Sequence, residues 1–440
     1  MDKRFKLMLS MTTALLIVCF IVLGKSPSSN QHSEPSEQSS PIKELYSDSL
    51  QNKDIKKHAQ EQKYIMSDDN TTSRGDGNSS WKQNELKKLS NLIQQRLHFV
   101  QNPPDCSKAK KIVCNFKERC GFGCQTHHLS FCMIMAYGTG RTLILESKGW
   151  DYAEEGWEKF FRPLSENCLD RKGETTGKWT SPEKNENIQV VELPIVGSLS
   201  QDLRPDFLPL AIPEDISERL ERVHGNPAVW WIGQIMTYIL RPQPQLQEFM
   251  DNETAALGFT HPIVGIQVRR TDKIKGRNAK NNFKGEAKFH GIEEYMDHVE
   301  KYYQELEKRK AVSVRRVFLA TDEVGLLYEA KKKYPGYVFV SDNKISQSAN
   351  VSLRRSEESL MGIIVDLHLL ARSDFVVCTC SSNICRLVYE MIQHSHLDAS
   401  KKLISVDRQY FWYGENTKAK GKTAKMPVYE GAENVHLDGV

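Results

Sequence analysis

The stretch His261–Lys273 limits most strongly what this chain can fold into. An apolar run, Ile263–Val268, ends abruptly in Arg269 and Arg270, which Thr-Asp-Lys follows. Such a run is typical of a buried parallel strand, and in open α/β sheets ligands bind just beyond the carboxyl ends of strands. Two guanidinium groups there need an anion opposite them, and the planar fork of arginine matches phosphate oxygens. The pattern therefore favours the diphosphate site of a nucleotide sugar over a pair of unrelated surface arginines.

The chain beyond this run alternates strands and helices. Strands are predicted at Val317–Thr321, Tyr337–Ser341, Phe375–Thr379 and Leu403–Val406, and helices at Ile292–Lys310, Glu323–Lys333, Glu357–Arg372 and Asn383–His394. Strands separated by helices of this length require crossover connections and a parallel sheet. An earlier region also alternates short strands with helical stretches, with strands at Thr142–Glu146 and Ile188–Glu192 and a buried helix at Ala228–Leu240. The expected fold class is thus α/β, with two α/β regions and a parallel sheet in the second.

The beginning of the chain predicts membrane attachment. The apolar run Leu7–Leu23 follows Lys3, Arg4 and Lys6. This arrangement favours a type II signal anchor, with the N-terminus in the cytosol and the remainder in the lumen. A cleaved signal peptide is the alternative, although Gly24–Pro27 offers no clear cleavage site.

A polar stem is expected to follow, because residues 25–80 contain too little apolar surface to offset the entropy of the chain. Trp81, Leu86, Leu89, Ile93 and Leu97 then recur at helical spacing. This stripe either packs on the helix's own domain or pairs with a second subunit. The expected divisions are 1–24 (tail and anchor), 25–80 (stem), 81–104 (stem helix), 105–258 (disulfide-rich α/β domain), 259–412 (nucleotide-binding domain) and 413–440 (tail).

The charge and the cysteines narrow the choice of partners and compartment. The formal net charge of the 440 residues is only +4, which gives no support to nucleic-acid binding. The cysteines from Cys106 to Cys168 are dense, and Cys120 and Cys124 precede His127-His128. A zinc site is one interpretation, but in an oxidising lumen disulfides are favoured. The sequence alone leaves the pairing open.

Four motifs carry a resemblance to a known family. They are Val268–Lys273, Gly291–Met296, Leu319–Asp322 and Cys378–Cys385. Together they resemble the α-1,6-fucosyltransferases, over about residues 102–413. The resemblance implies a GT-B-like fold with two open-sheet α/β domains, the second Rossmann-like. It also implies an inverting transferase that moves fucose from GDP-fucose to O6 of the innermost GlcNAc of N-glycans. It further implies a Golgi membrane location, N-glycosylated proteins as acceptors, and a homodimer formed through the stem helix.

The same resemblance implies a set of disulfides. The implied pairs are Cys106 with Cys168, Cys114 with Cys132, Cys120 with Cys124, and Cys378 with Cys385. Cys380 is left over, and its presence departs from the family pattern. We expect Cys380 to be buried as a small apolar group.

Site residues follow partly from chemistry and partly from the resemblance. The chain contains no Asp-x-Asp metal motif, so we expect no metal or other cofactor, and Arg269 and Arg270 should neutralise the diphosphate. The resemblance implies Glu286 as the base that accepts the acceptor proton, with Lys273 beside it. It also implies that the donor site is lined by Asp272, Tyr295, Asp322, Asp366, Ser382 and Tyr152. Asp366 is expected to accept hydrogen bonds from guanine, and Tyr152 is equally compatible with a place in the core.

Several departures from the family pattern bear on the function. Residues 275–284 form a polar insertion before Glu286, while Gln267 and Glu323 replace a histidine and an aspartate. Residues 413–440 are too few for the family's SH3-like domain, which is expected to be lacking from this sequence. The alternatives to an active enzyme are therefore an inactive luminal protein that binds GDP-fucose or glycans, and an inverting fucosyltransferase acting on protein hydroxyls.

Overall fold

The computed structural model describes most of the chain beyond the predicted stem. It covers residues 76–116, 120–270, 288–342, 355–396, 398–412, 423–435 and 437. The predicted anchor, most of the stem, the insertion at 275–284 and much of the tail lie outside these ranges. Within the described ranges, no helix combines the length and the apolar character that crossing a bilayer requires.

The first sheet is built from four short parallel strands. They are β1 (Lys111–Asn115), β2 (Thr142–Glu146), β3 (Thr176–Lys178) and β4 (Val190–Glu192), in the order β2-β1-β4-β3. Helix α2 (Phe122–Thr139) connects β1 to β2 and is buried along nearly its whole length. The predicted strand Thr142–Glu146 is confirmed residue for residue, and the one predicted at Ile188 begins two residues later.

The second sheet contains five parallel strands. They are β6 (Ile263–Val268), β7 (Arg316–Thr321), β8 (Val338–Val340), β9 (Phe375–Cys378) and β10 (Leu403–Ser405), in the order β10-β9-β6-β7-β8. The connecting helices are α6 (Ile292–Glu307), α7 (Leu326–Lys333), α8 (Glu357–Arg372) and α9 (Asn383–Ser395). Every strand pair is parallel, which confirms the predicted α/β class.

The described elements also include three more helices and a small strand pair. The helices are α3 (Glu214–Glu221), α4 (Pro227–Ile239) and α5 (Pro244–Ala256), and β5 (Ile212–Pro213) pairs with β11 (Thr423–Ala424). Asn226 caps α4 by accepting a hydrogen bond from the Val229 amide, and Pro227 occupies the first turn. Helix α4 packs on α9, so it joins the helical layers of the two sheets. The domain division expected at residues 258–259 remains a prediction.

The stem helix packs on its own chain. Helix α1 spans Asp76–Gln101, and Leu86, Leu89, Ile93 and Leu97 are buried. Its Ser90 hydroxyl donates to Gln234 Oε1 of α4 at 2.8 Å. An ion pair of 2.7 Å joins Arg96 to Asp215 of α3. The buried stripe therefore takes the intramolecular one of its two predicted alternatives.

The cysteines are paired in the combination that the resemblance implies. Disulfides join Cys106 to Cys168, Cys114 to Cys132, Cys120 to Cys124, and Cys378 to Cys385. Cys380 is a buried thiol whose sulfur lies 3.7 Å from that of Cys385. Burial raises the pKa of Cys380 to about 12, which keeps the thiol protonated and unreactive at neutral pH.

Candidate active site

The order of the second sheet creates a crevice between two strands. From β6 the chain moves outward through β7 and β8, and then returns to place β9 and β10 on the other side. In open α/β sheets, ligands bind at the carboxyl ends of the strands on either side of such a reversal. Arg269 and Arg270 follow β6 there, and residues 379–382 follow β9. The predicted diphosphate site thus lies at the topological switch point.

Asp322 holds together the Arg269 corner, the turn after β6 that consists of Arg269 and Arg270 with Asp322 beside them. One oxygen of its carboxylate accepts a hydrogen bond from the Arg270 backbone amide at 2.9 Å. The other oxygen lies 3.4 Å from Arg269 Nε. The Asp322 side chain is only 2 % exposed, and a buried carboxylate is stable only when it is paired in this way. Asp322 was predicted to line the donor site, and its visible role is to position both arginines.

The two arginines have different surroundings. The Arg270 guanidinium donates to the His290 carbonyl and to Glu323, both at 3.0 Å, and stacks over the ring of Phe289 at 4.6 Å. Its side chain is 6 % exposed, whereas that of Arg269 is 21 % exposed. The guanidinium group of Arg270 is therefore occupied by contacts within the protein. Arg269 is the better placed of the two to bind an anion.

The turn between β9 and α9 is held rigidly. The Ser382 amide donates to the Thr379 carbonyl at 2.9 Å, and the Cys378–Cys385 disulfide ties the strand to the first turn of the helix. The buried Arg386 guanidinium donates to the Cys380 carbonyl at 3.0 Å. Ser382 is the N-cap residue, and its hydroxyl makes no capping hydrogen bond. The amides at this helix end carry partial positive charge, which suits a phosphate.

Asp407 supports the same turn from the end of β10. Its carboxylate accepts a hydrogen bond from the Ser405 hydroxyl at 2.8 Å and another from the Ser381 amide at 3.2 Å. The Ser405 hydroxyl in turn accepts one from the Cys380 amide at 2.9 Å. These bonds fix the backbone of the turn, so the first amides of α9 are already oriented. This role of Asp407 could not be predicted from the sequence, because it depends on β9 and β10 being neighbours in the sheet.

Both predicted tyrosines are packed in the interior. Tyr295 belongs to the core beneath the sheet and hydrogen-bonds to the Thr379 side chain. Burial, and secondarily Asp407, raises the pKa of Tyr295 above its usual value. The Tyr152 hydroxyl accepts a hydrogen bond from the Phe122 amide at 3.0 Å, and its ring packs edge-on against Trp150. Tyr152 is thus buried, as the core interpretation expects, and its contact with a nucleotide stays a prediction.

Asp366 lies on α8 in an environment that opposes its charge. Burial raises the pKa of its carboxyl group well above the usual value, and the nearby Asp342 carboxylate adds to the shift. A carboxylate in such a place gains strongly from a ligand that donates two hydrogen bonds to it. The remaining predicted residues, Asp272, Lys273 and Glu286, lie outside the described ranges.

A buried polar cluster that the sequence analysis missed joins α2, α9 and the segment after β10. Glu390 and His127 are fully buried, with His127 Nε2 lying 3.2 Å from Glu390 Oε1. The Tyr410 hydroxyl donates to the same oxygen at 2.7 Å. Nδ1 of His127 faces the Gly123 carbonyl, which can only accept, so Nδ1 donates to it. The apolar neighbours of Glu390 in the sequence were the available signal, because a lone carboxylate there would be costly.

One group in the described ranges has the composition of a metal site. The sulfur atoms of Cys114 and Cys132 and a ring nitrogen of His128 lie within 4.8 Å of one another. The two sulfurs are joined to each other, so neither is the thiolate that a metal requires. Burial lowers the pKa of His128 to about 4, and the imidazole is neutral. With the disulfide formed, only His128 could serve as a ligand.

Comparisons with solved structures give weak likenesses to fucosyltransferases. The NodZ α-1,6-fucosyltransferase soaked with GDP-fucose matches 64 % of this chain and 93 % of its own, at 17 % identity and a TM-score of 0.35. POFUT1 in complex with GDP-fucose matches 69 % of this chain and 99 % of its own, at 14 % identity and a TM-score of 0.39.

Sequence comparisons find relatives with much higher sequence identity. An α-(1,6)-fucosyltransferase of Drosophila melanogaster is 45 % identical over 81 % of this chain and 56 % of its own length. One of Caenorhabditis elegans is 36 % identical over 74 % of this chain and 57 % of its own. The chain thus spans a little over half the length of these curated relatives. The family model for the N-terminal and catalytic domains of α-(1,6)-fucosyltransferases matches residues 21–411. The chain therefore belongs to the α-(1,6)-fucosyltransferase family.

Proposed function

We propose that this chain is an inverting glycosyltransferase that moves fucose from GDP-fucose to O6 of the innermost, Asn-linked GlcNAc of N-glycans. Family membership over residues 21–411 supports the reaction class. The observation that carries the proposal is the corner formed by Arg269, Arg270 and Asp322 at the switch point of a parallel sheet. Fold comparison alone would not distinguish this chemistry from others on α/β scaffolds.

The leaving group sets the first chemical requirement. As the bond from the fucose anomeric carbon to the β-phosphate oxygen breaks, negative charge develops on GDP. Arg269 would receive that charge through two parallel hydrogen bonds, and the amides at the start of α9 would add to it. Arg270 and Asp322 keep Arg269 in place. We propose that this arrangement makes a metal ion unnecessary.

The acceptor sets the second requirement. Its O6 must attack the anomeric carbon from the face opposite GDP and lose its proton as the new bond forms. We propose Glu286 as the base that takes this proton, with Lys273 beside it, and Asp272 near the diphosphate. Asp366 would accept hydrogen bonds from N1–H and the exocyclic amine of guanine. Ser382 would face the diphosphate, while Tyr295 and Tyr152 would shape the site from the interior.

The wider arrangement is also part of the proposal. The two parallel sheets suit a GT-B-like pair of domains at 105–258 and 259–412. Leu7–Leu23 would anchor the chain as a single-pass type II protein of the Golgi membrane, with the catalytic region in the lumen. Four disulfides fit that oxidising compartment. A homodimer formed through α1 would have to use a face other than its buried stripe.

Incubation with GDP-fucose and a core-defucosylated N-glycopeptide tests the proposal. Mass spectrometry should show one added deoxyhexose, and fragmentation should place it on the innermost GlcNAc. The rate should survive excess EDTA, and a loss that Mn²⁺ restores would refute metal independence. GDP binding without transfer would instead indicate an inactive GDP-fucose-binding protein. Transfer to a protein hydroxyl would indicate the other alternative.

A further inference from the structure

A large cavity lies between helices of the two α/β regions. Its volume is about 1130 Å³, and its walls come from α4, α5, α8 and the last turn of α9. His261, which lies just before β6, also lines it. Arg269, Asp322 and Ser382 are not among its lining residues. The cavity therefore does not include the corner formed by Arg269 and Asp322 or the start of α9 at Ser382.

The floor of this cavity is apolar. The buried side chains that line it are Phe122, Phe161, Met236, Leu246, Met250, Ile364, Leu367 and Ala371. The volume of about 1130 Å³ slightly exceeds the roughly 300–1,000 Å³ of typical small-molecule pockets. A hydrocarbon body placed on this floor would be stabilised by the removal of its methylene groups from water. The floor therefore suits an extended apolar group and offers no reason to select a sugar or a nucleotide.

The rim of the cavity carries arginines at fixed positions. The Arg162 amide donates to the Arg241 carbonyl at 2.7 Å, and a backbone bridge joins Phe161 to Pro242. These contacts bring both arginines to the same edge. Arg241 is held further, because its Nη2 donates to the Pro163 carbonyl at 3.1 Å and its guanidinium stacks on Tyr238.

Arg162 is the rim cation best suited to a ligand. It is exposed, and within the part of the chain that the structure describes no carboxylate forms an ion pair with it. Arg372, a third arginine in the lining, donates to His368 Nε2 at 3.1 Å. Two carboxylates, those of Glu248 and Asp251, also line the cavity. Three arginines against two carboxylates leave the rim with an excess of positive charge.

The histidines of the lining do not alter this balance at neutral pH. Because Arg372 can only donate, His368 accepts through Nε2 and is therefore neutral. Burial lowers the pKa of His368 to about 4, and burial also lowers those of His394 and His396. His261 is paired with Asp374 at 2.9 Å. The arginines thus supply the positive charge of the rim.

We propose that this cavity binds an amphiphile that has a single hydrocarbon chain and one anionic head group. The chain lies on the apolar floor between α5 and α8, and the head group, a carboxylate or a phosphate, meets Arg162 at the rim. Arginine suits this role because its fork matches both kinds of oxygen anion. Such a ligand could come from solution as a free fatty acid or from a membrane as an anionic lipid, and both share this chemistry.

Binding of dodecanoate to the full chain in detergent-free buffer tests the proposal. Isothermal titration calorimetry should show saturable binding at one site, with dodecyl phosphate also binding. Dodecanol and dodecyltrimethylammonium should bind at least tenfold more weakly, since a charge-assisted hydrogen bond is lost. Arg162→Glu should weaken dodecanoate binding about ten- to hundredfold. Arg222→Glu, a charge reversal at an exposed arginine of the segment after α3, should leave it unchanged.

A second variant tests the floor independently of the rim. Ala371→Phe fills part of the cavity and should abolish binding of dodecanoate. The melting temperature and the GDP affinity of Ala371→Phe report whether this variant still folds. If it does not fold, Arg162→Glu tests the proposal in its place. The proposal would be overturned if dodecanol bound as tightly as dodecanoate, or if Arg222→Glu lost as much dodecanoate affinity as Arg162→Glu. It would also be overturned if dodecanoate did not bind. Vesicles of phosphatidylcholine with and without phosphatidic acid then distinguish a lipid source from a soluble one.

Discussion

Arg269 and Arg270 are neighbours in the sequence, yet different groups hold their guanidinium ions. Arg270 is surrounded by His290, Glu323 and Phe289, while Arg269 keeps a larger exposed surface beside Asp322. The two residues should therefore respond differently to the same change. A lysine keeps the charge of an arginine but loses the two parallel donors.

Arg269→Lys should weaken GDP binding by about ten- to hundredfold, which corresponds to the roughly 1.5–3 kcal/mol of a charge-assisted hydrogen bond. Its melting temperature should stay near that of the parent. Arg270→Lys, the matched control, should lower the melting temperature because it breaks a buried network. Calorimetric titration with GDP and thermal unfolding measure both effects. Parent-like GDP affinity in Arg269→Lys would remove Arg269 from the diphosphate site.

Glu286→Gln should lower the rate of fucose transfer by about 10²–10⁴-fold, because glutamine cannot accept the proton of the acceptor hydroxyl. GDP affinity should be unchanged, since the proposed contacts of Arg269 and Asp366 remain. Glu293→Gln is the control, because Glu293 forms an exposed ion pair with Lys333. If Glu286→Gln transfers fucose at the parent rate, Asp272 becomes the next candidate for the base.

The raised pKa of Asp366 predicts that the stability of the folded chain depends on pH. Its pKa is raised by burial, so above the ordinary value of 3.8 the unfolded chain gives up this proton before the folded one. The contribution of Asp366 to stability therefore falls as the pH rises from 3.8 to the raised pKa. Asp366→Asn should consequently raise the melting temperature at neutral pH and leave it unchanged below pH 3.8. A lower melting temperature at neutral pH would contradict this assignment.

The same carboxyl group should make GDP binding depend on pH with the opposite sign. The ionised form accepts two hydrogen bonds from guanine, so GDP affinity should fall as the pH drops through the raised pKa of Asp366. Asp366→Asn should bind GDP more weakly at high pH and lose this dependence. Calorimetric titrations in buffers of different ionisation enthalpy would reveal the proton released on binding.

At the scale of elements, α1 shows how a stripe can be predicted while its partner cannot. Helical spacing identified the apolar face of α1, but the residues that cover it lie more than a hundred positions away, such as Gln234 of α4. The strands were easier to predict, because an apolar run flanked by polar residues is a local signal. The strand predicted at Tyr337–Ser341 is shorter than expected, because β8 is an edge strand that pairs only with β7, over three residues.

Ile93→Ala should destabilise the fold by about 2–5 kcal/mol, because Ile93 lies on the inner face of α1 and is fully buried. Trp81→Ala should change stability by no more than about 0.5 kcal/mol, because Trp81 is 47 % exposed. Denaturant unfolding of both variants tests this difference. If the stripe instead joined two subunits, the effect of Ile93→Ala would depend on protein concentration.

At the scale of the whole molecule, the sequence predicted the parallel sheet and the arginine corner but not the supports around them. The corner was visible because Arg269 and Arg270 end an apolar run, which is a local pattern. The roles of Asp322, His290 and Asp407 require knowing which strands are neighbours. The cavity between α5 and α8 was equally hidden, because its lining comes from segments that are widely separated in the sequence.

The buried contact between His127 and Glu390 has a consequence for how the molecule moves. His127 lies in the layer of the first sheet, and Glu390 in that of the second. A hinge motion that separated these layers would leave a buried carboxylate without one of its partners, at a cost of at least about 1–3 kcal/mol. A hinged-open form would therefore be suppressed on the order of tenfold or more. Donor exchange should accordingly leave the two layers locked together, and turnover should be insensitive to a crosslink placed between them.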